Sequence, residues 1–112
     1  MKDCLFCKII RGEIKARLEL DTPEVTAFYD INPQAPFHVL VVPRKHIERV
    51  GSLEAGDAKL AGELLCQARN IAEKNGFSDY RLVFNNGEKA GQSVFHVHLH
   101  LLAGRPFTWP PG

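Results

Sequence analysis

Short apolar segments separated by turn residues run through most of the chain, and a single long apolar stripe at helical spacing interrupts them. Leu5, Phe6, Ile9 and Ile10 recur at helical spacing until Gly12, which predicts a brief N-terminal helix. From Ala16 to Leu20 and from Val25 to Tyr29 the residues alternate or are β-branched and aromatic. Asp21-Thr22-Pro23-Glu24 between them is turn chemistry, so the two runs predict an antiparallel hairpin. Asn32-Pro33-Gln34-Ala35-Pro36 reads as a rigid loop, because each proline lacks an N–H and restricts the residue before it. His38-Val39-Leu40-Val41-Val42, almost wholly apolar up to Pro43, suits a central strand buried on both faces.

Ser52 is a suitable N-cap for the next segment. There Leu60, Ala61, Leu64, Leu65, Ala68, Ile71 and Ala72 keep one apolar stripe as far as Asn75-Gly76, a C-terminal stop. This predicts one long helix, with Cys66 inside it read as core. Tyr80 to Phe84 is another β-rich run, a polar loop spans Asn85 to Gln92, and a last strand is expected from about Val94 to Leu102. The order of elements suggests an α+β fold, an antiparallel sheet of about five strands with the long helix on one face. The tail Pro106-Phe107-Thr108-Trp109-Pro110-Pro111-Gly112 fits neither helix nor sheet interior, and its Trp109 needs a place to dock.

With 112 residues and 12.5 kDa the chain reads as one domain, 1–112, large enough to bury roughly two-thirds of its unfolded surface. Lys plus Arg is 14 against 13 for Asp plus Glu, with both signs scattered, which argues against a nucleic-acid or membrane partner held by bulk charge. No apolar run approaches the ~20 residues that cross a bilayer and no hydrophobic signal segment opens the chain, so a cytoplasmic protein is expected. Cys4, Cys7 and Cys66 are too few for a disulfide framework.

Candidate chemistry concentrates in His96-Val97-His98-Leu99-His100-Leu101-Leu102, which holds three of the five histidines at period two. On a strand the three imidazoles share one face while Val97, Leu99 and Leu101 face the core. Two readings compete. Three imidazoles can chelate a divalent ion in a metal-dependent hydrolase, although same-face side chains nearly 7 Å apart splay the outer pair. Alternatively the middle imidazole is a nucleophile flanked by helpers, and the loop Asn85 to Ser93 supplies donors for an anion; Gly91-Gln92-Ser93 allows close approach to a phosphate. The spacing favours the nucleophile. Cys4 and Cys7, with two residues between them, suit one tetrahedral ion, with His46 and His96 as the natural further ligands. A bare reduced pair and a redox motif are the alternatives.

The string Gly91 to Leu102, with Gly104-Arg105 and the ending Trp109-Pro110-Pro111-Gly112, resembles the histidine-triad superfamily, most closely its Hint branch of nucleotide-binding phosphoramidases. Phe28 to His38 and Pro43-Arg44-Lys45-His46 resemble the same branch. Ala103 departs from it, standing where the branch usually has a glycine. The resemblance implies hydrolysis of a purine nucleoside monophosphate joined to an amine, through a covalent nucleotidyl-histidine. By the same resemblance His98 is the nucleophile, His100 and Ser93 contact the phosphate or leaving group, and His38 joins the cluster. Asp30 would accept from the ribose hydroxyls. Leu5, Phe6, Ile9, Phe28, Ile31 and Leu40 match positions lining the base pocket, Asn85 and Gln92 resemble phosphate-side contacts, and Gly91 and Val94 join the substrate-binding positions. Some relatives resemble the Cys4, Cys7, His46, His96 arrangement with a structural zinc; catalysis itself would need no cofactor. The resemblance further implies a homodimer in which Trp109 reaches the neighbouring site. A nucleotide-binding regulatory module and a dinucleoside polyphosphate hydrolase are the alternative functions.

Overall fold

The most apolar run of the sequence becomes the middle of the sheet. In the computed structural model, which describes residues 3–112, every residue of β3 (Phe37–Pro43) is buried. β1 (Leu18–Asp21) and β2 (Val25–Tyr29) form the expected hairpin, and β4 (Tyr80–Phe84) and β5 (Leu99–Ala103) complete an antiparallel sheet in the order β1-β2-β3-β5-β4.

Alternation along β3 sends its side chains to two separate cores. Phe37, Val39 and Val41 pack with Val25, Ala27, Leu99 and Leu101 under the long helix α2 (Ala58–Lys74), which contributes Leu64, Ala68, Ile71 and Ala72. Leu40 and Val42 face the other way and pack with Phe28 and with Phe6 of the short helix α1 (Leu5–Ile10). His38 shares that second face, as does His100, which is paired with Leu40 across β3 and β5. The two helices thus cover opposite faces of one sheet, and the face beneath α1 carries the histidines. No described helix is long and apolar enough to cross a membrane.

Three expectations need correction. α2 starts at Ala58 and not at Ser52, because turns at Val50–Ser52 and Ala55–Asp57 intervene. The Asp57 carboxylate holds the second of them through the Glu54 N–H at 3.0 Å and Lys45 Nζ at 2.6 Å. Cys66 is exposed rather than core: two residues advance a helix by about 200°, which turns it away from the face set by Leu64 and Ala68. The last strand begins at Leu99, not near Val94. His96 and His98 spend their ring N–H groups on the carbonyls of Pro43 and His96, both at 2.8 Å, and Val97 N–H donates to Ile47 O at 2.7 Å, so this stretch cannot continue the ladder.

Truncating Leu64, 2% exposed beneath the sheet, by Leu64→Ala is expected to cost about 2–5 kcal/mol in urea unfolding. Cys66→Ser on the outer face of the same helix should stay within about 0.5 kcal/mol of the parent.

Candidate active site

Phe6 brings α1 down on the histidine face, its ring edge-on to Phe28 at 5.2 Å, to His98 at 5.1 Å and to His96 at 5.9 Å between centroids. Around it lies a cavity of about 350 Å³, at the small end of the range for ligand pockets (~300–1,000 Å³). One side is apolar, formed by Leu5, Phe6, Ile9, Phe28, Ile31 and Leu40; the other carries Asp30, Ser93, Val94, His98 and His100. The combination suits a ligand with a flat apolar part and a polar or charged end.

The protonation pattern inside this cavity follows from backbone groups that can act in only one direction. A carbonyl only accepts, so the 2.8 Å contact between His98 Nδ1 and His96 O puts the His98 proton on Nδ1 and leaves the Nε2 lone pair free. An amide N–H only donates, so the Gln34 N–H at 3.0 Å from His38 Nδ1 keeps that nitrogen bare and the His38 proton on Nε2. His38 Nε2–H then donates to His100 Nδ1 at 2.9 Å, which leaves the His100 proton on Nε2. Asp30 Oδ2, 3.5 Å from His38 Nε2, offers the same proton a second acceptor. Burial holds His38 and His98 below the usual imidazole pKa. Burial first, and then the neighbouring His98 and His38 rings, push His100 down to about 4. At neutral pH the cavity therefore presents a bare imidazole nitrogen on His98 and a ring N–H on His100, with ring centroids 5.0 Å apart.

His96 belongs to a different constellation. Its Nε2–H donates to Pro43 O, so its bare Nδ1 faces Cys4 Sγ at 3.4 Å, Cys7 Sγ at 3.6 Å and His46 Nδ1 at 3.1 Å, with Cys7 Sγ 3.3 Å from His46 Nδ1. A tetrahedral zinc with ordinary bond lengths separates its ligands by about 3.3 Å for N to N and about 3.6 Å for N to S. The four residues fit such an ion, and the carbonyl on the far side of the His96 ring is the orienting contact that metal-bound histidines need. Burial, followed by the adjacent Cys4 sulfur, raises the Cys7 thiol above its usual range, so a thiolate there calls for a cation.

The three histidines of the period-two motif therefore do not converge on one point: His96 turns to the cysteines, while His98 and His100 face the cavity. Asp30, His38 and His100 also come close enough to one another to bind an ion, but the Gln34 N–H leaves His38 Nε2 protonated, which suits a hydrogen-bonded chain better than a ligand set.

Several expected residues lie elsewhere. Asn85 lines a second cavity of about 250 Å³ on the other side of His38 and His100, together with Arg81 and Arg105. Gly91 adopts φ +102°, and a Cβ there would stand 3.6 Å from Asn85 Nδ2. Gln92 is buried, its Oε1 accepts from Gly87 N–H at 2.8 Å, and its Nε2 donates to Glu48 O and Val94 O, so its side-chain amide holds the loop. Trp109 is 83% exposed and lines neither cavity. Sequence reasoning missed Ile14, Lys15 and Ala16, which close the cavity beyond α1; the apolar Ile14 stranded after Gly12 was the available signal.

The HIT domain family profile matches residues 11–107. An uncharacterized HIT-like protein of Synechocystis is 48% identical over 112 residues, covering 99% of this chain and 98% of its own. The crystal structure of a HIT family hydrolase from Legionella pneumophila superposes with a TM-score of 0.96 at 47% identity, covering 98% of this chain and all of that one. A histidine triad nucleotide-binding protein from Candida albicans gives a TM-score of 0.79 at 30% identity over 96% of this chain and 83% of its own.

Because His38 and His100 titrate lower in the folded chain than in the unfolded one, the unfolded state takes up protons first as pH falls. The contribution of both is complete above about pH 6.5; that of His100 is lost as the pH drops toward about 4, and that of His38 is lost in the same direction. Urea midpoints measured from pH 7 to 4.5 should fall with acid, and less steeply in His100→Gln. An equal slope in the variant would contradict this assignment.

Proposed function

The chain belongs to the HIT domain family, and on that premise we propose that it is a hydrolase of the Hint branch, cleaving the P–N bond of purine nucleoside phosphoramidates, that is, AMP or GMP joined to an amine. The observation that carries the reading is the His98 tautomer: a backbone carbonyl occupies Nδ1, so the nucleophilic lone pair is on Nε2, in a cavity with one apolar wall and an acidic group at Asp30. The Legionella relative's description as a hydrolase and the Candida relative's as nucleotide-binding support it.

In this mechanism the base lies against Leu5, Phe6, Ile9, Phe28, Ile31 and Leu40, and Asp30 accepts from the ribose hydroxyls. His98 Nε2 forms a bond to phosphorus as the P–N bond of the substrate breaks, and the amine leaves with the bonding pair and one proton. The His96 carbonyl stabilises the imidazolium so formed through the Nδ1–H. His100 donates its Nε2–H to a phosphoryl oxygen. The exposed Ser93 hydroxyl relays a solvent proton to the departing amine; water then displaces His98 from phosphorus, and the proton it loses returns to solvent by the same hydroxyl. Asn85 is on the leaving-group side in this reading.

Zinc on Cys4, Cys7, His46 and His96 belongs to the same proposal as a structural ion, pinning α1 to the segment before β5; reduced thiols there agree with a cytoplasmic protein. A homodimer, in which Trp109 reaches the neighbouring site, completes it.

His98→Ala is expected to lower phosphoramidate turnover by on the order of 10³-fold or more and to abolish the nucleotide adduct seen by mass spectrometry of quenched enzyme, while AMP still binds. A label on another residue, or undiminished turnover, would refute the nucleophile. Elemental analysis should find one zinc per chain. Cys4→Ser should lose it and melt about 10 °C lower, on the scale of ~2 kcal/mol for a domain of this size, yet still turn over substrate below its melting temperature.

A further inference from the structure

The neutral pair His38 and His100 has two ways to share its protons. With Nε2–H on His38, His100 keeps its proton on Nε2, facing away from His38; with Nδ1–H on His38, the hydrogen bond between the rings reverses and His100 Nε2 becomes a bare acceptor. Only the first arrangement lets His100 donate to a phosphate. The Gln34 N–H on His38 Nδ1 at 3.0 Å makes that choice, and Asp30 Oδ2, at a longer 3.5 Å from His38 Nε2, favours the same tautomer.

Gln34 sits in the loop between β2 and β3, and its carbonyl, one peptide unit beyond the N–H that meets His38, is held from the far end of the chain. Arg105 directs Nε and Nη2 to the Gln34 carbonyl at 3.1 and 2.9 Å, a two-pronged grip. Arg105 is itself fixed by Nη1 on Pro106 O at 3.0 Å and by stacking 4.3 Å over the Phe107 ring, whose position Arg81 shares at 5.1 Å. Beside it Gly104, at φ +97°, lets Pro36 come so near that a Cβ would stand 3.0 Å from Pro36 Cβ. The segment after β5 therefore sets the loop, the loop sets His38, and His38 sets His100.

We infer that Arg105, together with the close packing of Gly104 on Pro36, is a positioning residue that selects the His100 tautomer able to donate to a phosphate. This rests on the proposed reading that His100 contacts the phosphate; the tautomer itself does not depend on turnover.

Long-range proton–nitrogen correlation spectra of histidine-labelled protein at pH 7 read the tautomers directly. The parent should carry Nε2–H on His38 and His100. Arg105→Met, which keeps a stem over Phe107 but no donor, should give a mixture at both rings, and Gly104→Ala, with the arginine intact, should move the same two signals. AMP affinity should fall about tenfold in Arg105→Met while adenosine affinity stays within about twofold, and Arg105→Lys, which keeps a single donor but not the fork, should recover only part of the loss. Parent-like tautomers in both variants, or equal losses for AMP and adenosine, would overturn the inference. A parent with the expected tautomers and AMP affinity that cleaves no phosphoramidate would overturn the proposed function and leave the positioning role supported.

Discussion

Backbone groups decide which nitrogen of each buried imidazole carries a proton, and the site depends on that constraint. Pro43 O, His96 O and the Gln34 N–H each meet one ring nitrogen at 2.8–3.0 Å, and none of these groups can reverse its role. Burial removes the other freedom, charge, by keeping the rings neutral near pH 7. Four chemically identical side chains thereby differ: one has a lone pair aimed at two sulfurs, one has a lone pair in a cavity, and two form a directed chain of hydrogen bonds.

The fold makes this possible by covering one sheet with two unequal helices. α2 buries a continuous apolar stripe against the larger core, whereas α1, only six residues long, covers just enough of the opposite face to desolvate the histidines and leaves a cavity beside Phe6. So short a helix has little intrinsic stability. The Cys4, Cys7, His46, His96 cage joins it to two distant segments, so the element that walls the cavity is anchored by the residue next but one to His98.

Much of the fold was legible because its signals are local. The run His38 to Val42 has no polar surface to spare and had to be central; the Leu64, Ala68, Ile71 spacing could only be a helix; Asp21 to Glu24 could only turn. Apart from Cys66, misplaced by the rotation of its helix, the corrections come where a side chain competes with the backbone. Imidazoles took the carbonyls that would have extended β5 toward Val94, and the Asp57 carboxylate held a turn where a helix was expected from Ser52. The Gln92 amide likewise faces inward to Gly87 and Glu48, a placement that its position in a polar loop does not reveal.

The amino-acid sequence alone determined the sheet-and-helix composition, the period-two histidines and the pairing of Cys4 with Cys7 as possible ligands, since periodicity and close spacing survive in one dimension. Tertiary structure decided how those histidines divide. His96 is separated from His46 by 50 positions and His38 from His100 by 62, and only folding brings them to 3.1 and 2.9 Å. The proton on an imidazole is set by whichever donor or acceptor touches it, and those partners, Pro43 O and the Gln34 N–H among them, are backbone groups that every residue type carries and that no sequence pattern marks.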